Sequence, residues 1–195
     1  MATWRTFIAV DLDEDLGHAL QRLQDQLRDQ TAPRSVRWVR PEGIHLTLKF
    51  LGDTELPQVE AVKAAVAEAA AEIGPFSFAV RGLGCFPNAR RPRVLWVGVE
   101  EPTGALVRLR DAVEAHVAPL GFPTERRSFH PHLTLGRVHR RASKSEVREI
   151  GDLVTHSLVG DVGQMAVEQV SYIRSELTPQ GAVYTTLLAA TLQGA

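Results

Sequence analysis

Apolar positions change period repeatedly along the chain, and each change marks an element. Residues 6–10, with Phe7 and Ile8 inside, form a short β-rich run that ends at Asp11-Leu12-Asp13. From Glu14 the leucines at 16, 20, 23 and 27 recur at intervals of three and four, which predicts an amphipathic helix that Asp13 can cap. A β-like segment at 36–40 leads into a strand over 44–51, closed by Gly52-Asp53. Residues 57–73 are alanine-rich, with Val59, Val62 and Val66 on one stripe, and predict a second helix begun by Pro57. A strand over 76–80, a loop over 82–92 and a near-continuous apolar strand over 94–99 follow.

The cycle then restarts. A helix over 103–117, a strand over 132–138 and a polar amphipathic helix over 143–158 precede a strand that begins at 165–167 and continues toward Tyr172-Ile173. A last strand covers 183–188, matching 94–99 by its place in the cycle. Two four-residue stretches are identical: His45-Leu46-Thr47-Leu48 returns 87 residues later as His132-Leu133-Thr134-Leu135. The same shift lays Phe78-Ala79-Val80 on Met165-Ala166-Val167. Two copies are too few for a solenoid. The expected fold is α+β: one bilobal domain over residues 1–195 with an internal duplication. Its two pseudo-symmetric lobes each have an antiparallel or mixed sheet with two outer helices, around a central cleft.

Composition narrows this picture. A chain of 195 residues, 44% of them hydrophobic, can bury a substantial core. A net charge of −1, from 22 basic and 23 acidic residues, argues against broad coating of nucleic acid but leaves room for a local basic patch. The lone Cys85 excludes an intrachain disulfide framework or a cysteine-rich zinc site, and reads as a small packed residue. No apolar run approaches the roughly 18 residues of a membrane span, and the N-terminus lacks signal-peptide order. A cytoplasmic monomer is expected.

In an extended strand each repeated stretch sends His and Thr to one face and its leucines to the other. Two similar lobes facing across an axis would bring His45 and His132 to opposite walls of one cleft. Histidine, with an unperturbed pKa of about 6.5, serves as base or acid near neutrality, and in-line displacement at phosphorus needs one of each. Thr47 and Thr134 can then donate hydrogen bonds to non-bridging phosphate oxygens, with no metal required. A single histidine on a strand is more often structural; the duplicated His/Thr pair favours the catalytic reading.

The two stretches, the Arg5-to-Asp11 opening, the Lys49-Phe50-Leu51-Gly52 continuation and the Pro131-to-Arg137 block together resemble the two-histidine phosphoesterase superfamily. Within it, the RNA 2',3'-cyclic phosphodiesterases, historically called bacterial 2'-5' RNA ligases, are most similar. Gly84-Cys85-Phe86-Pro87 and Pro92-Arg93-Val94-Leu95-Trp96 add to the resemblance. It implies a metal-independent hydrolase without cofactors that acts on RNA bearing a 2',3'-cyclic phosphate end, or on a nucleotide. Such an enzyme expels O3' and leaves a 2'-phosphate; reverse 2'-5' joining uses the same residues. By position, His45 and His132 are the catalytic pair, Thr47 and Thr134 bind phosphate, and Arg137 supports phosphate or nucleotide binding. Simple alternation from His132 puts Arg137 on the wrong face, so this role requires a bulge or strand end. The residues leave the division of labour open; the reading adopted is that His132 activates water and His45 protonates the leaving oxygen.

Rival readings exist. His130, His132 and His139 have spacing compatible with zinc, although no Cys or Glu stands in a matching position. Arg90, Arg91 and Arg93, near Phe86, either guide an RNA backbone or belong to a solvated hairpin loop. Arg126 and Arg127 are candidate phosphate contacts. Trp38 and Trp96 read as core, and His18, His116 and His156 have no evident partners. A non-catalytic module that binds RNA ends is the alternative class; it would not need two proton-transfer groups.

Overall fold

The computed structural model describes residues 2–179 and 181–194. Nine strands and four α-helices follow one another as β1 (Thr3–Asp11), α1 (Glu14–Asp29), β2 (Val36–Trp38), β3 (His45–Glu55), α2 (Val59–Ala71), β4 (Phe76–Phe86), β5 (Val94–Glu100), α3 (Ala105–Val117), β6 (His132–Val138), α4 (Lys144–His156), β7 (Asp161–Val167), β8 (Gln169–Thr178) and β9 (Gly181–Thr191). They form two sheets, β3-β1-β8-β9 and β2-β6-β5-β4-β7, in which every neighbouring pair is antiparallel. Helices α2 and α3 pack on each other and on the first sheet, while α1 lies against β7 and α4 against β4 of the second. The expected α+β, two-sheet architecture is observed.

Local chemistry explains the helix starts. The Asp13 carboxylate accepts the Leu16 amide at 2.8 Å, and Ser143 and Glu146 form a reciprocal capping box at α4. Each such cap contributes about 1 kcal/mol. The leucines of α1 at 16, 20, 23 and 27 are buried, as their spacing requires. Leu46, Leu133 and Leu135 are fully buried and Leu48 nearly so. At roughly 1.5–3 kcal/mol each, they hold both histidine-bearing strands to the core.

The 87-residue shift reaches further than the two short stretches. Asp11 faces His45 and Ala9 faces Thr47 across β1–β3; 87 residues on, Gly98 faces His132 and Trp96 faces Thr134 across β5–β6. On the other side, Ser171 stands beside Ala9 and Gly84 beside Trp96, again 87 apart. The strand triplet β3-β1-β8 therefore recurs as β6-β5-β4. Residues 94–99 thus correspond to β1 and not, as cycle order suggested, to the final strand, which sits at a sheet edge beside β8.

Three other boundaries differ from expectation. The run from 165 to 173 is two strands in different sheets, because the buried alternation of Met165 and Val167 breaks phase at Glu168 and resumes at Val170. The expected loop from residue 82 is strand as far as Phe86. Gly84 imitates a loop signal, yet a side chain there would overlap the Trp96 ring that lies across it. Strand β3 runs past Gly52-Asp53 to Glu55.

Candidate active site

Strands β3 and β6 share one burial profile over six residues: His half-buried, Leu buried, Thr half-buried, two buried positions, then an exposed side chain. Pure alternation would give a different fifth and sixth position. Each strand carries a bulge at the same point. Across β1–β3 the register steps from Thr47 to Lys49, skipping Leu48; across β6–β5 it steps from Thr134 to Gly136, skipping Leu135. The extra residue brings Phe50 and Arg137 round to the face that already carries His and Thr. Arg137 thus lines the cleft by way of a bulge, the geometry that its expected contact calls for. The bulged Leu135 carbonyl, displaced from the ladder, accepts the Val39 amide at 2.9 Å and the buried Gln24 side-chain amide at 2.8 Å. Gln24 also donates to the Val39 carbonyl, tying α1 to the chain between β2 and β3.

The two histidines are held alike. His45 Nδ1 lies 3.1 Å from the Gly43 carbonyl and His132 Nδ1 lies 2.6 Å from the His130 carbonyl, each two residues back. A carbonyl only accepts, so Nδ1 carries the hydrogen and Nε2 is the nitrogen left for chemistry. Desolvation pushes both pKa values below the ordinary histidine range. Their surroundings otherwise differ. Asp11 Oδ1 stands 3.4 Å from His45 Nε2 and, with the Gly43 bond, pulls its pKa back up. Asp11 is itself steadied by the Ser171 hydroxyl at 2.6 Å. No described carboxylate pairs with His132; the His130 carbonyl raises its pKa, while the charges of His130 and Arg137 lower it further. Ring contacts fix both orientations: Tyr184 and Phe7 meet His45 edge-on at 4.9 and 5.6 Å, and Phe86 meets His132 edge-on at 4.9 Å.

A cleft of about 570 Å³ brings His45, Thr47, Thr134 and Arg137 together. His132 is not among its lining residues; it stands two residues before Thr134 on the same face of β6. Arg5, Arg37 and Arg40 line the cleft with Arg137, and no described carboxylate does. Such a basic, water-accessible pocket suits a ligand with more than one negative charge. Phe50, 68% exposed, offers an aromatic face at the same cleft.

Sequence reasoning missed Asp11, Gln24, Arg37 and Tyr184 as parts of the site. Each comes from an element remote in the chain, and only Asp11, ending an apolar run, carried a visible signal. The weaker candidates separate. His139 Nδ1 accepts the Arg141 amide in a turn, and among the described residues no group of three His, Cys, Asp or Glu side chains converges as a metal site. Arg126 and Arg127 are exposed outside the cleft. Arg90 and Arg91 line a separate groove against α4. Trp38 lines the cleft and Trp96 lies 6.0 Å from His132, so neither is simply core. His116, expected to lack partners, joins Glu68 at 3.2 Å and Glu72 at 2.6 Å. Among the described residues no helix is long and apolar enough to cross a membrane.

The LigT like Phosphoesterase family model matches residues 10–96 and again 97–184, one match for each copy of the repeat. The chain belongs to the LigT-like phosphoesterase family. An RNA 2',3'-cyclic phosphodiesterase of Methanothermobacter thermautotrophicus is 40% identical over 94% of this chain and 96% of its own length. Among solved structures, TT0787 of Thermus thermophilus has a TM-score of 0.79 at 30% identity, covering 97% of this chain and 98% of that one. E. coli LigT complexed with 3'-AMP shares the fold with a TM-score of 0.76 at 22% identity over 97% and 98% of the two chains. The resemblance of the two His-Leu-Thr-Leu stretches to two-histidine phosphoesterases therefore extends over the whole LigT-like chain.

Proposed function

We propose that this LigT-like protein hydrolyses RNA 2',3'-cyclic phosphate ends to 2'-phosphomonoesters, with His45 and His132 as an acid-base pair and Thr47 and Thr134 binding the phosphate. The observation that carries this reading is the matched pair of imidazoles, each tied through Nδ1 to the carbonyl two residues back, so that each presents Nε2 for proton transfer. His132 Nε2 takes a proton from water as its oxygen attacks phosphorus. The P–O3' bond breaks, and protonated His45 gives its proton to O3'. The product holds its phosphate on O2' beside a free 3'-hydroxyl, and solvent returns the pair to its starting protonation. Asp11 favours His45 as the protonated partner because its carboxylate stabilises an imidazolium. The Thr47 and Thr134 hydroxyls donate to the non-bridging oxygens as charge builds on them, and Arg137 supports phosphate or nucleotide binding in the same cleft. Relatives named RNA 2',3'-cyclic phosphodiesterase support the same assignment. Reverse 2'-5' joining replaces the attacking water by a 5'-hydroxyl over the same pair.

Product analysis tests the reading. Incubation with an oligoribonucleotide ending in a 2',3'-cyclic phosphate is expected to give a 2'-phosphomonoester, resolved from the 3' isomer by phosphorus NMR. A 3'-phosphate would overturn the assignment of the broken bond. Binding without turnover would establish the alternative, a non-catalytic RNA-end module.

A further inference from the structure

Across the β2–β6 pairing, Arg37 stands directly opposite Arg137. Residues so paired share a face, and like charges in that position repel. Neither arginine is in a salt bridge with any described residue. Both line the cleft that holds His45, Thr47 and Thr134, and no described carboxylate lines it with them. An arrangement that costs stability in the empty protein and is relieved by an anion is a mark of a binding position.

Strand β2 explains why the pair exists in only one of the two repeats. It extends the second sheet beyond β6, whereas β3, the counterpart of β6, is the edge of the first sheet. At the position of β3 that corresponds to Arg137 the residue is Phe50. At this level the second-sheet side of the cleft holds two cations side by side, where the first-sheet side has Phe50.

We infer that Arg37 and Arg137 together form a second phosphate subsite, one that binds the next backbone phosphate of an RNA chain whose cyclic end lies at the histidines. This rests on the proposed function and adds a preference to it: the enzyme favours a substrate with an internal phosphodiester over a cyclic mononucleotide. Two guanidinium groups present forked donors to one phosphate, a charge-assisted contact that a mononucleotide lacking a 5'-phosphate cannot make. Arg37 has no part in the proton transfers, so its effect should depend on whether that phosphate is present.

The test compares kcat/KM on a 2',3'-cyclic mononucleotide with that on the dinucleotide carrying the same cyclic end. The wild type should prefer the dinucleotide about tenfold, and R37Q should lose most of that preference through KM. R37K should keep more of it than R37Q. In the wild type the KM for the dinucleotide should rise with salt more steeply than in R37Q, by about one in the log–log slope. Thermal unfolding of R37Q at or above the wild-type temperature supports the repulsion; a lower temperature would contradict it. Equal wild-type activity on both substrates, or an R37Q loss equal on both, overturns the subsite while the proposed function stands. Hydrolysis of neither substrate overturns the proposed function itself, and the subsite with it.

Discussion

Strands β3 and β6 have the same His-Leu-Thr-Leu sequence, the same bulge and the same burial profile, yet their next residues and neighbours diverge. After the bulge β3 continues with Lys49 and Phe50, β6 with Gly136 and Arg137. Beside the histidine, β1 offers Asp11 where β5 offers Gly98. Lys49 turns inward to a buried pair with Glu114 at 2.7 Å and donates to the Pro123 carbonyl at 2.7 Å. Gly136 instead leaves room for β2. What is duplicated is the pair of histidines with their threonines; what differs is the charge and the packing beside them. A symmetric frame has acquired a direction.

Breaking the shared part should have the largest effect. In the proposed mechanism each of His45→Ala and His132→Ala removes one proton-transfer step, and kcat on a cyclic-ended RNA should fall by about a hundred- to ten-thousandfold. The double variant should be little worse than either single one, because the pair acts as a unit. Steady-state rates with a fold check by circular dichroism measure this; an active single variant would remove that histidine from the mechanism.

Breaking the divergent part should act on stability. Lys49→Ala leaves Glu114 buried and unpaired, at a cost of about 3–5 kcal/mol in denaturant unfolding. The matching change in the other strand, Gly136→Ala, sets a methyl 2.7 Å from Val36 Cγ1 and should cost about 1–3 kcal/mol by crowding β2. Should the two costs come out in the opposite order, the inward lysine would not be the stronger tie.

These contrasts also mark what a single chain of letters could reveal. The periods of two and of three to four placed the strands, the helices and the outward His and Thr, since those depend on neighbours in sequence. The bulge at Leu135 did not show, because it exists only in register with β5 and is stabilised by Gln24 from a distant helix. Gly84 read as a turn for want of Trp96 beside it. Arg37 and Tyr184 carry no local pattern that separates them from ordinary surface residues; only the sheets bring them to the cleft. Asp11 lies in the opening stretch that carries the resemblance, yet its closeness to His45 arises only from the pairing of β1 with β3.

Asp11 gives the finest test, since it sets a carboxylate beside His45 where β5 offers only Gly98 to His132. Desolvation holds both histidines below the ordinary range, so in the proposed mechanism the acid limb of the rate profile, set by loss of neutral His132, lies below pH 6.5. The basic limb marks loss of protonated His45, whose pKa the Asp11 carboxylate raises. Asp11→Asn removes that charge and keeps a side chain of similar shape. His45 then gives up its proton at lower pH, and the basic limb should move down while the acid limb stays. With the roles exchanged, the same variant would move the acid limb down and leave the basic limb in place. A pH profile of kcat for the variant therefore identifies which half of the repeat supplies the proton, and a profile unmoved on both sides would deny Asp11 any influence on the reacting imidazole.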